Sequence, residues 1–299
     1  MLLLFAGCSE KSVQWPIFQS DRAFTHLVEQ VAFGPRMPGT DAWRECRAYY
    51  VDHFTKLGFE VDSQSFHFFD PYSRADVPLV NVIARYRGNP DDPATLLLGA
   101  HYDSRPRTDY HSDSTKINEP LIGANDGASG VALLMELATL LSEQPARSNV
   151  DIVLFDGEDW GKSGDTDYYL LGSRHFAQQG IRGAYQMAIV VDMVADRDQQ
   201  IYREAISEKF AKPINDLILD LADTLGITTF FDSVRYTVLD YHLPLSAAGV
   251  PSALIIDFDY PAWHTEKDTP EQCSPASLGN VGRIITRIAY DPSLWPKRK

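Results

Sequence analysis

The stretch "DIVLFDGEDWG" at residues 151–161 runs four apolar residues, Ile152 to Phe155, directly into the acid pair Glu158 and Asp159. Three other apolar runs end in the same way. "LLLGAHYDS" delivers His101 and Asp103, "IVVDM" delivers Asp192, and "IIDFDYPAWHT" leads to His264. Between the first two runs, "GANDGASG" places Asp126 at a glycine-rich helix start. Taken singly, each has an ordinary role: Asp126 as a helix N-cap, His101 as a satisfied core histidine, the acid pair as a polar strand cap. Gathered at one place, these carboxylates would repel one another unless protonated or bridged by a cation. Mixed His/Asp/Glu donors without cysteine suit zinc in an open, catalytic coordination sphere. A carboxylate beside the ligands can then move protons.

The positioning elements follow from the pattern. Helices are expected within 20–39, over 40–59, after Gly127, around 172–180, near 208–225 and from about Pro275 to Tyr290. Strands are expected at "EVDSQSFHFF" and "NVIARYRG", with a Pro-containing loop between them, and at the four apolar runs, the last extending through "SALIIDFDY". Strands alternating with helices, several of them apolar on both faces, predict an α/β three-layer sandwich with a mostly parallel central sheet flanked by helices. In such a sheet the crevice beyond the strand C-termini is the ligand site, which is where the acids and histidines would meet. Residues 104–122 are expected to form a long loop bordering it.

The 299 residues suffice for one large domain, and a hydrophobic content of 44% with 23% charged residues is that of a folded globular chain. The net charge of −14 excludes nucleic acid as a natural partner and opposes anionic membrane surfaces. Cys46 and Cys273 lie in no CxxC pattern, which excludes a thiolate metal site. They either pair as a disulfide or remain buried thiols.

The motifs "HYD", "NDGASG", "ED", "VVDM" and "WHTEKDT" occur in the order found in the M28 zinc aminopeptidases and their relatives, the glutaminyl cyclases, and the chain resembles that family from about residue 30 to 290. The resemblance implies a zinc-exopeptidase (phosphorylase/hydrolase-like) fold. It implies Glu158 as the proton-transfer group and Asp126, Asp159 and His264 as zinc ligands. His101 and Asp192 match the positions that hold a second zinc in the aminopeptidases, so one Zn²⁺ is expected in the cyclase reading and two in the aminopeptidase reading. In the cyclase reading Asp192 instead serves catalysis. Asp103 would orient His101 through its second ring nitrogen.

Three features resemble the glutaminyl cyclase branch. "WGKSGDTDYYLL" matches its insertion in length, with Trp160, Tyr168 or Tyr169 available as an aromatic wall beside Gly164. Trp263 precedes the ligand His264 and would line the substrate pocket. "VLDYHLPLSAAGVP" resembles the "DDHIPF…GVP" segment, which gives Asp240 a place in the catalytic hydrogen-bond network, although Tyr241 stands where the cyclases carry a second Asp. The implied activity is glutaminyl-peptide cyclotransfer: an N-terminal glutamine becomes pyroglutamate and ammonia is released. The alternatives are an M28 aminopeptidase, in which Glu158 would activate the attacking water, and a lipoprotein that binds peptide or metal without chemistry. The substrate would be a peptide or protein N-terminus.

"MLLLFAGCSE" resembles the lipobox of bacterial lipoproteins, with Cys8 as the lipidated residue. This implies a signal over 1–8, a tether over 9–20 and a single catalytic domain over 21–299. The protein is accordingly expected to be exported, periplasmic or in the cell envelope, monomeric, and in touch with membrane only through that anchor.

Overall fold

The computed structural model describes residues 15–297. Cys8 and the lipobox-like segment lie outside them. Two helices come first, α1 (Ser20–Ala32) and α2 (Asp41–Lys56), the second capped by the Thr40 side chain, which accepts from the Trp43 backbone N–H. Phe18, within the stretch read as a tether, is buried against the body of the fold.

A six-stranded mixed sheet is the backbone of the domain, in the order β1-β2-β4-β3-β5-β8. Strands β1 (Glu60–Asp70) and β2 (Ala75–Arg87) form an antiparallel hairpin, and β2 pairs antiparallel with β4 (Asn149–Phe155). The rest of the sheet is parallel: β4 with β3 (Thr95–His101), β3 with β5 (Met187–Asp192), and β5 with β8 (Ser252–Ile256). The four parallel strands are buried on both faces and read as continuous apolar runs, whereas β1 alternates between exposed and half-buried positions. Pro78, expected in a loop, lies inside β2. It pairs with His67 of β1 and sits beyond the Val82–Arg87 segment that pairs with β4, so its missing N–H costs no bond on that side. The strand expected to run to Tyr260 stops at Ile256.

Helix α3 (Ala128–Glu143) is buried almost all round and lies directly on the sheet. The close approach explains Gly130, where a Cβ would stand 2.6 Å from the Val191 carbonyl oxygen and 2.9 Å from the Ala100 Cβ. Each Leu buried along this helix contributes about 1.5–3 kcal/mol. Helix α4 (Leu171–Ala177) covers β2, and α7 (Pro275–Tyr290) joins α1 and α3 on one face. A small parallel sheet, β6 (Ile201–Glu204) with β7 (Phe230–Tyr236), and the six-residue α6 (His242–Ala247) had no sequence expectation. Helix α5 (Ala205–Thr224) starts earlier than expected and is kinked at Ala211, two residues before Pro213. No helix among the described residues is long and apolar enough to cross a membrane. Cys46 and Cys273 are both buried free thiols.

Candidate metal centre and its catalytic crevice

The parallel register brings His101, Phe155, Asp192 and Ile256 to one edge of the sheet, because β3, β4, β5 and β8 all point the same way. Just beyond that edge the donors meet. His101 Nε2 lies 3.1 Å from Asp126 Oδ1 and 3.3 Å from Asp192 Oδ1. His264 Nε2 lies 3.1 Å from Asp159 Oδ2 and 3.5 Å from Asp126 Oδ2. Two donor groups result, His101/Asp126/Asp192 and Asp126/Asp159/His264, each with its ligand atoms within 4.8 Å of one another. Asp126 belongs to both, offering one oxygen to each side. All five residues are buried.

Several of these atoms have no hydrogen-bond partner: both ring nitrogens of His101, Asp159 Oδ2 and Asp192 Oδ1. Orphaned buried polar atoms carry a desolvation cost of about 1–3 kcal/mol each, more for charged groups. His101 Nδ1 faces Asp103; the other three, His101 Nε2, Asp159 Oδ2 and Asp192 Oδ1, belong to the donor groups and fit a divalent cation, and the N/O donor set fits zinc. The electrostatics agree. Burial opposes charging of His101, but the Asp192 carboxylate and the contacts with Asp103, Asp126 and Asp192 outweigh it and raise its pKa well above the usual range. Desolvation, then the charges of Asp159, Asp240 and Asp192, push the Glu158 carboxyl well up, with His101 opposing. Asp240 is raised by burial and by Asp192. Asp159 is held below the usual range despite its burial, because His264 and Arg105 stabilise its charge. The crevice therefore calls for positive charge, favours the ionised form of Asp159 and favours the protonated form of Glu158.

Glu158 is half-buried on the crevice wall and belongs to neither donor group. Its position is set by the turn after β4. Asp156, fully buried, accepts from the Val80 N–H at 2.7 Å, the Trp43 indole at 3.0 Å and the Tyr102 hydroxyl at 3.0 Å. Asp103 accepts from the Glu158 N–H at 3.2 Å and approaches His101 Nδ1 at 3.5 Å. It thus serves both the imidazole and the acid pair.

The Asp126 turn is equally determined. Asp268 accepts from the Asn125 N–H at 2.8 Å, the Asp126 N–H at 3.2 Å and the Tyr260 hydroxyl at 2.8 Å. Gly127 has φ +112°, and a Cβ there would stand 2.8 Å from both the Asp103 carbonyl oxygen and His101 Cε1. Leu170, Met193 and His264 are non-glycine residues with positive φ, and all three line the same cavity. Backbone held in this sparsely populated region costs of order 1–3 kcal/mol and gathers at functional sites.

Sequence reasoning missed Arg105, Asp109, Asp156 and Asp268. Arg105, fully buried, donates through Nη1 to Asp159 Oδ1, through Nε to Asp109 Oδ2 at 2.5 Å, and through Nη2 to the Tyr169 hydroxyl at 3.2 Å. Asp109 in turn approaches His264 Nδ1 at 3.5 Å. The sequence-level signal was the loop 104–122 itself, which borders the crevice through Arg105, Asp109 and Tyr110.

The cavity above the donors measures about 350 Å³. Its acidic side carries Asp126, Glu158 and Asp159, and its apolar side carries Val238, Leu243 and Trp263. The Trp263 indole stacks on the His264 ring at 4.0 Å. Of the three aromatic residues offered as a wall, Tyr169 lines the cavity. Trp160 instead donates to Asp70 at 3.0 Å, and Tyr168 packs near Phe68 and Tyr72. Asp240 lies at the cavity, just before α6. Tyr241 is buried between Phe155 and His101.

This architecture is shared with known proteins. A glutaminyl cyclase from Bacteroides thetaiotaomicron, solved with N-acetylhistamine, superposes with a TM-score of 0.87 at 30% identity, over 93% of this chain and 99% of that one. A leucine aminopeptidase precursor from the same organism superposes with a TM-score of 0.88 at 30% identity, over 93% and 99%. The glutaminyl-peptide cyclotransferase of Drosophila melanogaster is 26% identical across 86% of this chain and 77% of its own length. Residues 81–289, which run from β2 to α7 and hold every donor named above, match peptidase family M28, and the chain belongs to that family.

Proposed function

We propose that the protein is a zinc-dependent glutaminyl-peptide cyclotransferase, converting N-terminal glutamine to pyroglutamate with release of ammonia. The observation that carries this reading is a half-buried Glu158 with a raised pKa, standing outside both donor groups on the wall of a small cavity that Trp263 and Tyr169 also line. Zinc held by Asp126, Asp159 and His264 would supply Lewis acidity toward the γ-carbonyl oxygen of the glutamine. Every other part of the reaction falls to the chain. Trp263 and Tyr169 confine the side chain so that the α-amine reaches the carbon of its own side-chain amide, Cδ, whose bond to the amide nitrogen then breaks. The cavity is at the small end of the 300–1,000 Å³ that is usual for ligand sites, roughly as a single side chain requires. Glu158 takes a proton from the α-amine as the ring N–C bond forms and gives it to the departing ammonia. A carboxyl raised toward neutrality suits this two-way transfer. Asp192 and Asp240 act on Glu158 through their charge, which helps to keep its proton affinity high.

The aminopeptidase reading is favoured by one observation, the sharing of Asp126 between two donor groups, which suits two metal ions. One assay separates the readings: ammonia and free amino acids are measured together on a Gln-initiated peptide. Ammonia with an intact, shortened-by-nothing peptide supports cyclisation, free N-terminal residues support hydrolysis, and neither product supports a binding protein. The same reading takes the protein to be exported and tethered through Cys8, which mass analysis of the mature N-terminus tests.

A further inference from the structure

The cavity holds only the end of a substrate, so a polypeptide substrate must leave it across the protein surface. One path is already marked. The aromatic contact that begins at His264 and Trp263 continues outward to Phe258 at 5.2 Å and to Tyr236 at 5.5 Å. From Tyr236 it passes to Tyr202 at 6.1 Å and to Phe231 at 4.8 Å. Arg235 lies over the Tyr202 and Tyr236 rings at 4.6 and 5.3 Å.

The strand beneath this strip is β7. Its five central residues are all exposed, and two of them, Phe231 and Val234, are apolar. Phe231 is 37% exposed and Val234 53%, and Leu239, on the cavity lip, is 51% exposed. Single exposed apolar residues need no explanation, but Phe231 ends a series of ring contacts that starts at Trp263 in the cavity wall. The charges on β7 are already matched: Asp232 accepts from Arg203 at 2.5 Å and Arg235 meets Asp259 at 3.1 Å. Among the described residues β7 pairs with β6 alone, so its other edge is open. The chain then passes from Tyr236 straight into the cavity wall at Thr237–Asp240.

We infer that β7 and its aromatic strip form an extended subsite for the substrate polypeptide downstream of the reacting residue, with a preference for apolar side chains. A substrate whose N-terminus sits in the cavity runs away from it while β7 runs toward it, so the two lie antiparallel. Main-chain pairing along the open edge would give affinity, and alternate side chains would meet the aromatic rings. The seven residues of β7 span roughly 20 Å, enough to hold about six substrate residues. The inference rests on the cyclase reading only for the identity of the reacting end.

The test compares kcat/KM for three substrates: a Gln-initiated dipeptide amide, a Gln-initiated peptide of about eight residues with Val and Phe at alternate positions, and the same length built from Ser and Gly. The parent protein should favour the long apolar peptide over the other two by about tenfold or more, equivalent to about 1.4 kcal/mol. The Phe231→Ser/Val234→Lys variant should lose that preference, and Val234→Lys alone, a change at an exposed position, should lose part of it. Equal rates on all three substrates in the parent would overturn the inference, as would an unchanged preference in both variants. A variant that changes the sedimentation state but not the preference would mark the strip as a contact between copies of the chain and would also overturn it. If none of the three substrates yields ammonia, the cyclase reading fails by itself, and the same three-way comparison is then made on amino-acid release.

Discussion

Arg105 and Asp159 form a buried ion pair in which each oxygen of the carboxylate has a separate task. Oδ1 accepts from the guanidinium, and Oδ2, without a hydrogen-bond donor, faces His264 Nε2 at 3.1 Å. Because Arg105 also holds Asp109, which approaches the far nitrogen of His264, a single side chain ties together two residues of one donor group. In the other donor group Asp103 stands behind His101, at 3.5 Å from its Nδ1.

The first prediction concerns that fork. Arg105→Lys keeps the charge but cannot span both carboxylates. Zinc affinity, measured by competition with a chromophoric chelator, should fall about 10- to 100-fold, the usual cost of losing a group that orients a ligand. Arg105→Met should in addition destabilise the fold by about 3–5 kcal/mol, because Asp159 would be left charged and unpaired. Parental zinc affinity in Arg105→Lys would show that the fork does not position the ligands.

Asp268 makes a second, independent prediction. Its carboxylate accepts two backbone N–H groups of the turn that carries Asp126. Asp268→Asn replaces one acceptor oxygen by an NH₂ group, which cannot face an N–H donor. We expect a loss of about 1–3 kcal/mol in urea unfolding, together with weaker zinc retention, since Asp126 serves both donor groups. Full stability with full zinc binding would remove Asp268 from the account.

How much of this was legible in the sequence depends on how each residue acts. His101, Asp159, Asp192 and His264 follow apolar runs or a tryptophan, so their place at the strand ends could be read from hydrophobic patterning. Arg105 and Asp268 act through contacts separated by 54 and 143 residues, and nothing local marks them. The same holds for the fold. Strands β3, β4, β5 and β8 are buried on both faces and announce themselves, whereas β6 has four residues and α6 has six, too few for a period to show. β7 was missed because FFDSVRY mixes apolar and polar residues with neither the continuous run of a core strand nor a clean alternation.

Stability should depend on pH through a site far from the crevice. Burial, then the charge of His53, holds His26 down to about 4 from 6.5, and His53 is itself lowered by burial. The unfolded imidazole of His26 protonates near 6.5 and the folded one near 4, so between these values the unfolded state binds more protons. Unfolding free energy should therefore fall as the pH drops through this window, by on the order of 2–3 kcal/mol, and this contribution should level off below it. His26→Phe should flatten that part of the profile in urea midpoints taken at about pH 7 and about pH 4.5. An equally steep profile in the variant would assign the dependence to other groups.

The most direct test of the whole account is Glu158→Gln, assayed for bound zinc and for ammonia release from a Gln-initiated peptide in the same preparation. Because Glu158 lies outside both donor groups, the variant should keep its zinc. As the proton carrier it should lose at least about 10²–10⁴ in turnover, the usual worth of general acid–base catalysis. Retained zinc with ammonia release within about tenfold of the parent would contradict the assignment of Glu158, and with it the division of labour between ligands and proton carrier.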